Sequence, residues 1–336
     1  MLTKAEKNLL CTCIDPSPFL GKRILITGAS GMVGLYLLES LVEVFQSYGI
    51  SPEQIQILNR KEHKRVSEIA SLSNFISVIA QDFQTIKEEF ESDYVIHLAS
   101  PASPLSHSDS SELDYLNRVF LQKLIPRKGG TILFASSGEV YGNEAPSPIK
   151  EEYFGMYPIS ELRSSYPKAK VLGEEYIYSL FQNKEISNFK IARLFHTFGP
   201  GMRIDDGRSF ADFLFAAASG KNIKMHSNRQ VVRSFLYSLD AVTAFMKLLL
   251  DKSQNGSFNV GSEDKLSILD FAKKIVVESG GKTAIEFSNP VKGYLETPNQ
   301  ILFPDTSKLR KLGWERKVPL DQAIKLTLEW ITQSKS

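Results

Sequence analysis

Apolar residues along the chain fall into two rhythms. Short runs dense in Ile, Val, Leu and Phe occur at Arg23–Thr27, Gln54–Leu58, Ile76–Ala80, Tyr94–Ala99, Thr131–Ala135 and Phe189–Leu194. Compact runs of this kind suit strands of a parallel sheet covered on both faces. Between most of them lie segments of helix length, the first running from Met32-Val33 to Val44-Phe45 with apolar residues at helical spacing. Strands alternating with helices predict an α/β fold, a doubly wound parallel sheet with right-handed crossovers. Beyond Phe195 the regularity weakens. Glycines and prolines interleave there with helical stretches at Phe210–Ala218, Ala241–Leu250 and Ile268–Glu278.

This organisation predicts an extension over residues 1–20, ending in the turn-rich Asp15-Pro16-Ser17-Pro18. Residues 21–194, completed by about 236–262, are expected to form a dinucleotide-binding domain, and 195–235 with 263–336 a smaller substrate-binding region.

Candidate chemistry begins at Gly28-Ala29-Ser30-Gly31-Met32-Val33-Gly34, directly between the first strand and its helix. Glycine permits the tight turn and the close approach of a pyrophosphate, and the helix N-terminus offers free N–H groups. No Lys-Ser/Thr follows, which disfavours a nucleotide-hydrolysing loop. The second strand runs into Asn59-Arg60-Lys61, with no carboxylate for a ribose 2′-hydroxyl. An arginine there suits a 2′-phosphate, so the expected cofactor is NAD or NADP, with a lean to NADP. The competing reading makes Arg60, Lys61, Lys64 and Arg65 a solvated helix face. Asp82-Phe83 follows the third strand, where a carboxylate could meet adenine or simply turn the chain.

Tyr166-Pro167-Lys168-Ala169-Lys170 places a phenol and an amine four residues apart, on one helix face if Tyr166 caps a helix that Pro167 begins. An adjacent ammonium would stabilise the phenolate and make it a usable base. Ser136-Ser137-Gly138-Glu139 stands at the mouth of the fifth strand, where residues line the ligand crevice of such sheets. Ser137 could bond the reacting oxygen while Tyr166 takes its proton, and Glu139 offers a second proton-transfer group.

Composition narrows the partners. A net charge of +2 over 336 residues argues against nucleic acid as a ligand. The two cysteines, Cys11 and Cys13, make a poor zinc site and too small a loop for an ordinary disulfide, so reduced thiols and no metal are expected. Leu9–Ile14 is too short for a signal peptide or membrane span. No membrane partner and a cytoplasmic setting are therefore expected.

These residues resemble the extended short-chain dehydrogenase/reductase family, the NAD-dependent epimerase/dehydratase group, whose sheet is Rossmann-like. Within it, the branch most similar is that of the UDP-glucuronate decarboxylases. The matching segments are His97–Pro104, Ser137–Gly142, Ala192–Pro200, Asp206-Gly207-Arg208, Arg233-Ser234-Phe235 with Tyr237 and Asp240, and Pro304-Asp305 with Lys308-Leu309 and Leu312-Gly313-Trp314. The resemblance implies that Leu98, Ala99 and Ser100 run beside the cofactor and that Asn117 buttresses the active-site strand. It also implies that Arg233 and Arg208 grip a substrate diphosphate, as a guanidinium fork matches phosphate oxygens. A homodimer packed through the helix of Tyr166 is implied as well.

Four departures set expectations. Ser137 replaces the family's threonine and keeps the hydroxyl; Gly138 removes the acid that dehydratases carry there. Leu302 stands where decarboxylases carry an arginine, and His196 where an asparagine is common. An uncharged hexose tolerates these changes better than a glucuronate. The expected activity is therefore a 4-ketoreductase or 4-epimerase acting on a nucleotide-sugar substrate. The rivals are the decarboxylase, a 4,6-dehydratase and a non-catalytic dinucleotide sensor.

Overall fold

The first half of the chain lays down strands and helices in alternation, and the burial pattern shows why. In the computed structural model, which describes residues 1–101, 110–142, 144–153, 155, 165–226, 230–288 and 301–334, strand β1 (Arg23–Thr27) is buried at every position after the first. Ala102, Ser103 and Pro104 of the matching segments lie outside the described residues. A helix α1 (Lys4–Cys13) precedes β1, and α2 (Met32–Tyr48), β2 (Gln54–Asn59), α3 (Lys64–Ala70), β3 (Ile76–Ala80) and β4 (Tyr94–His97) follow it. Then come α4 (Ser110–Asp114), β5 (Thr131–Ser137), α5 (Ser165–Gln182) and β6 (Asn188–Leu194).

The second half is shorter in its strands. It comprises β7 (His196–Phe198), α6 (Ser209–Ala218), β8 (Ile223–Met225), β9 (Val232–Arg233), β10 (Phe235–Tyr237), α7 (Ser238–Leu250) and β11 (Gly256–Val260). β12 (Leu266–Ser267), α8 (Ile268–Glu278), β13 (Ile285–Phe287), β14 (Ile301–Leu302), α9 (Ser307–Lys311) and α10 (Leu320–Gln333) complete the described elements.

Seven strands form one sheet in the order β11-β6-β5-β4-β1-β2-β3, all parallel. The order turns back between β1 and β4, so the carboxyl ends of those strands open a crevice where ligands bind in such folds. Short ladders outside this sheet, β10-β7, β12-β9-β14 and β13-β8, build the rim around it.

Three local differences from the expected elements have simple causes. β5 continues to Ser137, because Ser136 and Ser137 pair in register with Arg193 and Leu194 of β6. α5 already includes Ser165 and Tyr166, so the tyrosine lies inside the first turn rather than at the cap; Pro167 is tolerated there because first-turn N–H groups have no helical acceptor. The N-terminal extension is ordered as a helix. Thr3 and Glu6 form a capping box, and Glu6 is buried, its Oε1 accepting from the phenols of Tyr36 and Tyr237, each at 2.6 Å. That carboxylate fastens α1 to α2 and to β10.

Candidate active site

Strand β1 delivers the glycine turn. Gly28 has φ +75°, and a Cβ there would stand 2.5 Å from the Ala99 nitrogen, so only glycine lets β1 and the segment after β4 approach this closely. At Gly34 a Cβ would lie 2.8 Å from the Ala29 Cα and nearer still to the Gly28 carbonyl, which fixes how closely α2 packs on the turn. Gly31 differs: its Cβ would meet nothing closer than the Gly28 oxygen at 3.5 Å. Gly31 is also the N-cap of α2 and supplies no capping side chain, so the first N–H groups of the helix, beginning at Met32 and Val33 beside Ser30, face an open cradle.

At the end of β2, Asn59 is 1% exposed, and both polar atoms of its amide lack a hydrogen-bond partner among the described residues. A buried donor and acceptor left unpaired cost free energy unless a ligand meets them. This orphaned amide, together with the glycine cradle, fits the ribose and pyrophosphate of a dinucleotide. Arg60 forms an ion pair with Glu112. Asp82 turns the chain, accepting from the Gln84 N–H at 3.0 Å, and Phe83 is buried against the Phe120 ring at 4.8 Å.

His97, fully buried at the end of β4, ties this half together. Its Nε2 faces the Leu116 carbonyl at 3.2 Å, and since a carbonyl only accepts, Nε2 carries the proton. Nδ1 then accepts from the Thr27 hydroxyl at 2.7 Å, whose oxygen in turn accepts from the Ala99 N–H at 3.3 Å. The residue before the glycine turn and the Leu98-Ala99-Ser100 segment thus share one anchor. Asn117, buried in a π-helical turn over Tyr115–Val119, donates to the Leu113 carbonyl at 2.7 Å and to the Ser100 hydroxyl at 3.3 Å.

The other wall is the end of β5 facing α5. Ser137 hydrogen-bonds the Tyr166 side chain and accepts from the Glu139 N–H at 3.2 Å. Tyr166 is buried, and burial pushes its phenol above the ordinary value; the nearby Glu139 carboxylate pushes the same way, opposed by Ser137 and by the Arg208 guanidinium. Lys170 was expected to supply that opposing charge. Its ammonium lies 5.9 Å from the Tyr166 ring centroid and donates to the Ala135 carbonyl at 2.7 Å. Burial lowers Lys170 to about 7, with Glu174 pulling it back up.

The remaining candidates divide. Arg208 is held by Asp206, whose Oδ2 takes Nη2 at 2.6 Å, and its guanidinium lies over the Phe210 ring; it faces Tyr166 and Glu139 rather than standing apart from them. Arg233 is 3% exposed and donates to the Val232 carbonyl at 2.8 Å. His196 sits among aromatic rings, with Phe210 at 5.8 Å and Phe235 at 6.0 Å between centroids. Two departures have packing reasons. A Cβ at Gly138 would fall 2.9 Å from the Phe195 ring, which leaves no room for an acid. Leu302 belongs to an apolar cluster with Val140, Tyr141, Ala145, Ile149 and Phe195.

Sequence reasoning missed the layer beneath. Ser136 donates to Glu174 at 2.5 Å, and Arg193 binds the same carboxylate with Nη2 at 2.6 Å and Nε at 3.0 Å. Glu174 stands four residues after Lys170 and eight after Tyr166, a helical spacing that could have revealed it.

A parallel sheet with a glycine turn after its first strand, and with a serine, a tyrosine and a lysine gathered at the end of β5, is the frame of a nicotinamide-dependent enzyme of the extended short-chain dehydrogenase/reductase class. Residues 24–261 match the NAD dependent epimerase/dehydratase family, and the chain belongs to it. Among curated proteins, it is 31% identical to UDP-glucuronic acid decarboxylase 1 of Xenopus tropicalis, over 92% of this chain and 72% of that one. It is 29% identical to UDP-glucuronic acid decarboxylase 6 of Arabidopsis thaliana, over 91% and 88%. Among solved structures, a UDP-glucose 4-epimerase of Thermotoga maritima superposes with a TM-score of 0.76 at 21% identity, covering 94% of this chain and 100% of that one. A UDP-glucuronic acid 4-epimerase of Bacillus cereus, solved with NAD, gives 0.76 at 20% identity, covering 93% and 99%. These two likenesses concern the fold. No described helix is long and apolar enough to cross a membrane.

Proposed function

We propose that the chain oxidises or reduces C4 of a hexose carried on a nucleoside diphosphate, as a 4-ketoreductase or 4-epimerase. The observation that carries this reading is the meeting of Ser137, Glu139 and Tyr166 at the end of β5, with Lys170 behind them. When bound, the nicotinamide supplies or accepts the hydride. Ser137 holds the C4 oxygen, Tyr166 moves its proton, and Glu139 stands by as a second proton carrier. Lys170 holds the nicotinamide ribose and supports the phenolate as it forms. Asn59, Gly31, Met32 and Val33 would bind the cofactor's ribose and pyrophosphate. Arg233 and Arg208 are proposed to meet the substrate, with Arg208 nearest the catalytic phenol.

Gly138 packed on Phe195 disfavours dehydration, since the position carries no acid and a side chain there would have to displace the Phe195 ring. Decarboxylation of a UDP-glucuronate is the second reading, and the relatives named UDP-glucuronic acid decarboxylase support it. A mass-spectrometric screen of UDP-, dTDP-, GDP- and CDP-sugars with each cofactor separates the two: conversion of UDP-glucuronate with loss of carbon dioxide overturns the C4 assignment. No turnover on any sugar nucleotide would favour a sensor.

Arg60 supports a lean to NADP, although a 2′-phosphate must compete with Glu112 for it. Equal or tighter binding of NAD rejects that lean. A homodimer is proposed through α5, where Leu172 and Phe181 are exposed; light scattering that gives a monomer's mass would exclude it. A cytoplasmic location completes the reading.

A further inference from the structure

The end of β5 is tied to α5 at three consecutive residues. Ala135 accepts from Lys170, Ser136 donates to Glu174, and Ser137 bonds Tyr166. The α5 partners stand four residues apart, so one helix face meets one strand end. Two of the three have a chemical step in the proposed reaction, and Glu174 does not.

The surroundings of Lys170 show what Glu174 does. The amine is 2% exposed, its hydrogen bond goes to a neutral carbonyl, and its other neighbours are the rings of Phe134 at 4.8 Å and Tyr166 at 5.9 Å. Among the described residues no carboxylate lies within ion-pair distance of it. A buried ammonium so placed sheds its proton unless a nearby negative charge opposes desolvation. Around it stand His97 from β4, Tyr166 and Glu174 from its own helix, and Arg193 from β6 behind Glu174. Burial keeps His97 neutral and Tyr166 a phenol, so Glu174 is the one negative charge in this set. Its carboxylate is clamped by Arg193 on two sides and by the Ser136 hydroxyl, and is 5% exposed.

We propose that Glu174 is a positioning residue for Lys170: clamped by Arg193 and Ser136, its carboxylate opposes loss of the buried amine's proton where Tyr166 and the nicotinamide ribose need that charge. This rests on the reading that Lys170 belongs to the active site, but its test does not require turnover. Protein labelled with ¹³Cε-lysine is titrated, the Lys170 resonance being assigned by its loss in Lys170→Arg. In Glu174→Gln the Lys170 midpoint falls by about one unit or more, at least a tenfold change in its protonation equilibrium. Because this variant leaves Arg193 buried without its counter-charge, Glu174→Gln combined with Arg193→Gln removes both charges together and is measured if the single variant does not fold. A midpoint at the wild-type value in the folded variant overturns the proposal. If the midpoint falls while Lys170→Arg leaves NADH binding unchanged, the role of Glu174 stands and the cofactor-site reading fails.

Discussion

Leu302 lies directly opposite Arg233 in the parallel ladder between β14 and β9. Leu302 is an apolar side chain, 8% exposed, beside a guanidinium that is itself buried. Leu302→Arg would place a second guanidinium opposite Arg233, in the apolar cluster of Val140, Ile149 and Phe195. The expected cost is about 3 kcal/mol or more of stability, because a buried charge without a partner is not compensated by neighbouring methyl groups. Urea unfolding measures it, and an unchanged midpoint would show that this side chain reaches solvent.

The glycines of the turn make separable predictions. Gly31→Ala places its methyl in the open cradle, so the protein should melt as the wild type does while NADH affinity falls severalfold. Gly34→Ala drives its methyl into the Gly28–Ala29 backbone, so the melting temperature itself should drop. Fluorescence titration with NADH and a thermal melt distinguish the two. Equal effects of both substitutions on stability would remove the cradle from the cofactor site.

Tyr166→Phe removes one hydroxyl from a buried ring and little else. Turnover on whichever sugar nucleotide is converted should fall about 10²- to 10⁴-fold, the usual contribution of a positioned proton donor or acceptor. NADH binding should persist, since the phenol oxygen is held by Ser137 and not by the glycine turn. Retained turnover would transfer the proton step to another group, Glu139 or Ser137.

His97 predicts an acid limit to stability. Burial, with the Lys170 charge adding to it, lowers its imidazole to about 3. The unfolded chain takes up this proton near pH 6.5 and the folded one does not, so stability falls as the pH drops from about 6.5 towards 3. The slope from this one group approaches about 1.4 kcal/mol per pH unit at 25 °C. In His97→Gln the acid limb of the stability profile should flatten while the level near neutral pH falls, because the link between Thr27 and Leu116 is disturbed. An acid limb as steep as the wild type's would place the responsible proton elsewhere.

Much of the fold was legible in the chain. Six strands of the large sheet were visible as apolar runs, because a strand covered on both faces has no polar side to display. The glycine turn, the serines at the end of β5 and the tyrosine–lysine spacing were visible because local backbone geometry dictates them. The capping box at Thr3 and Glu6 was also local, yet α1 went unread, since what holds it is Glu6 between Tyr36 and Tyr237, two phenols brought together from distant positions. Arg208 likewise was read as a diphosphate contact, and its place by Tyr166 emerged only in three dimensions.

The order of residue types along the chain determined the alternation of strands and helices, the glycine turn and the residues proposed to react. Each follows from forces acting within a few residues: steric limits on backbone angles, side-chain periodicity and helix ends. Which charge stands near which proton was decided by the tertiary structure. Burial and electrostatics depend on distances through space, so the pairing of Glu174 with Arg193, the neutrality of His97 and the place of the Arg208 charge beside the Tyr166 phenol could come only from the packed sheet.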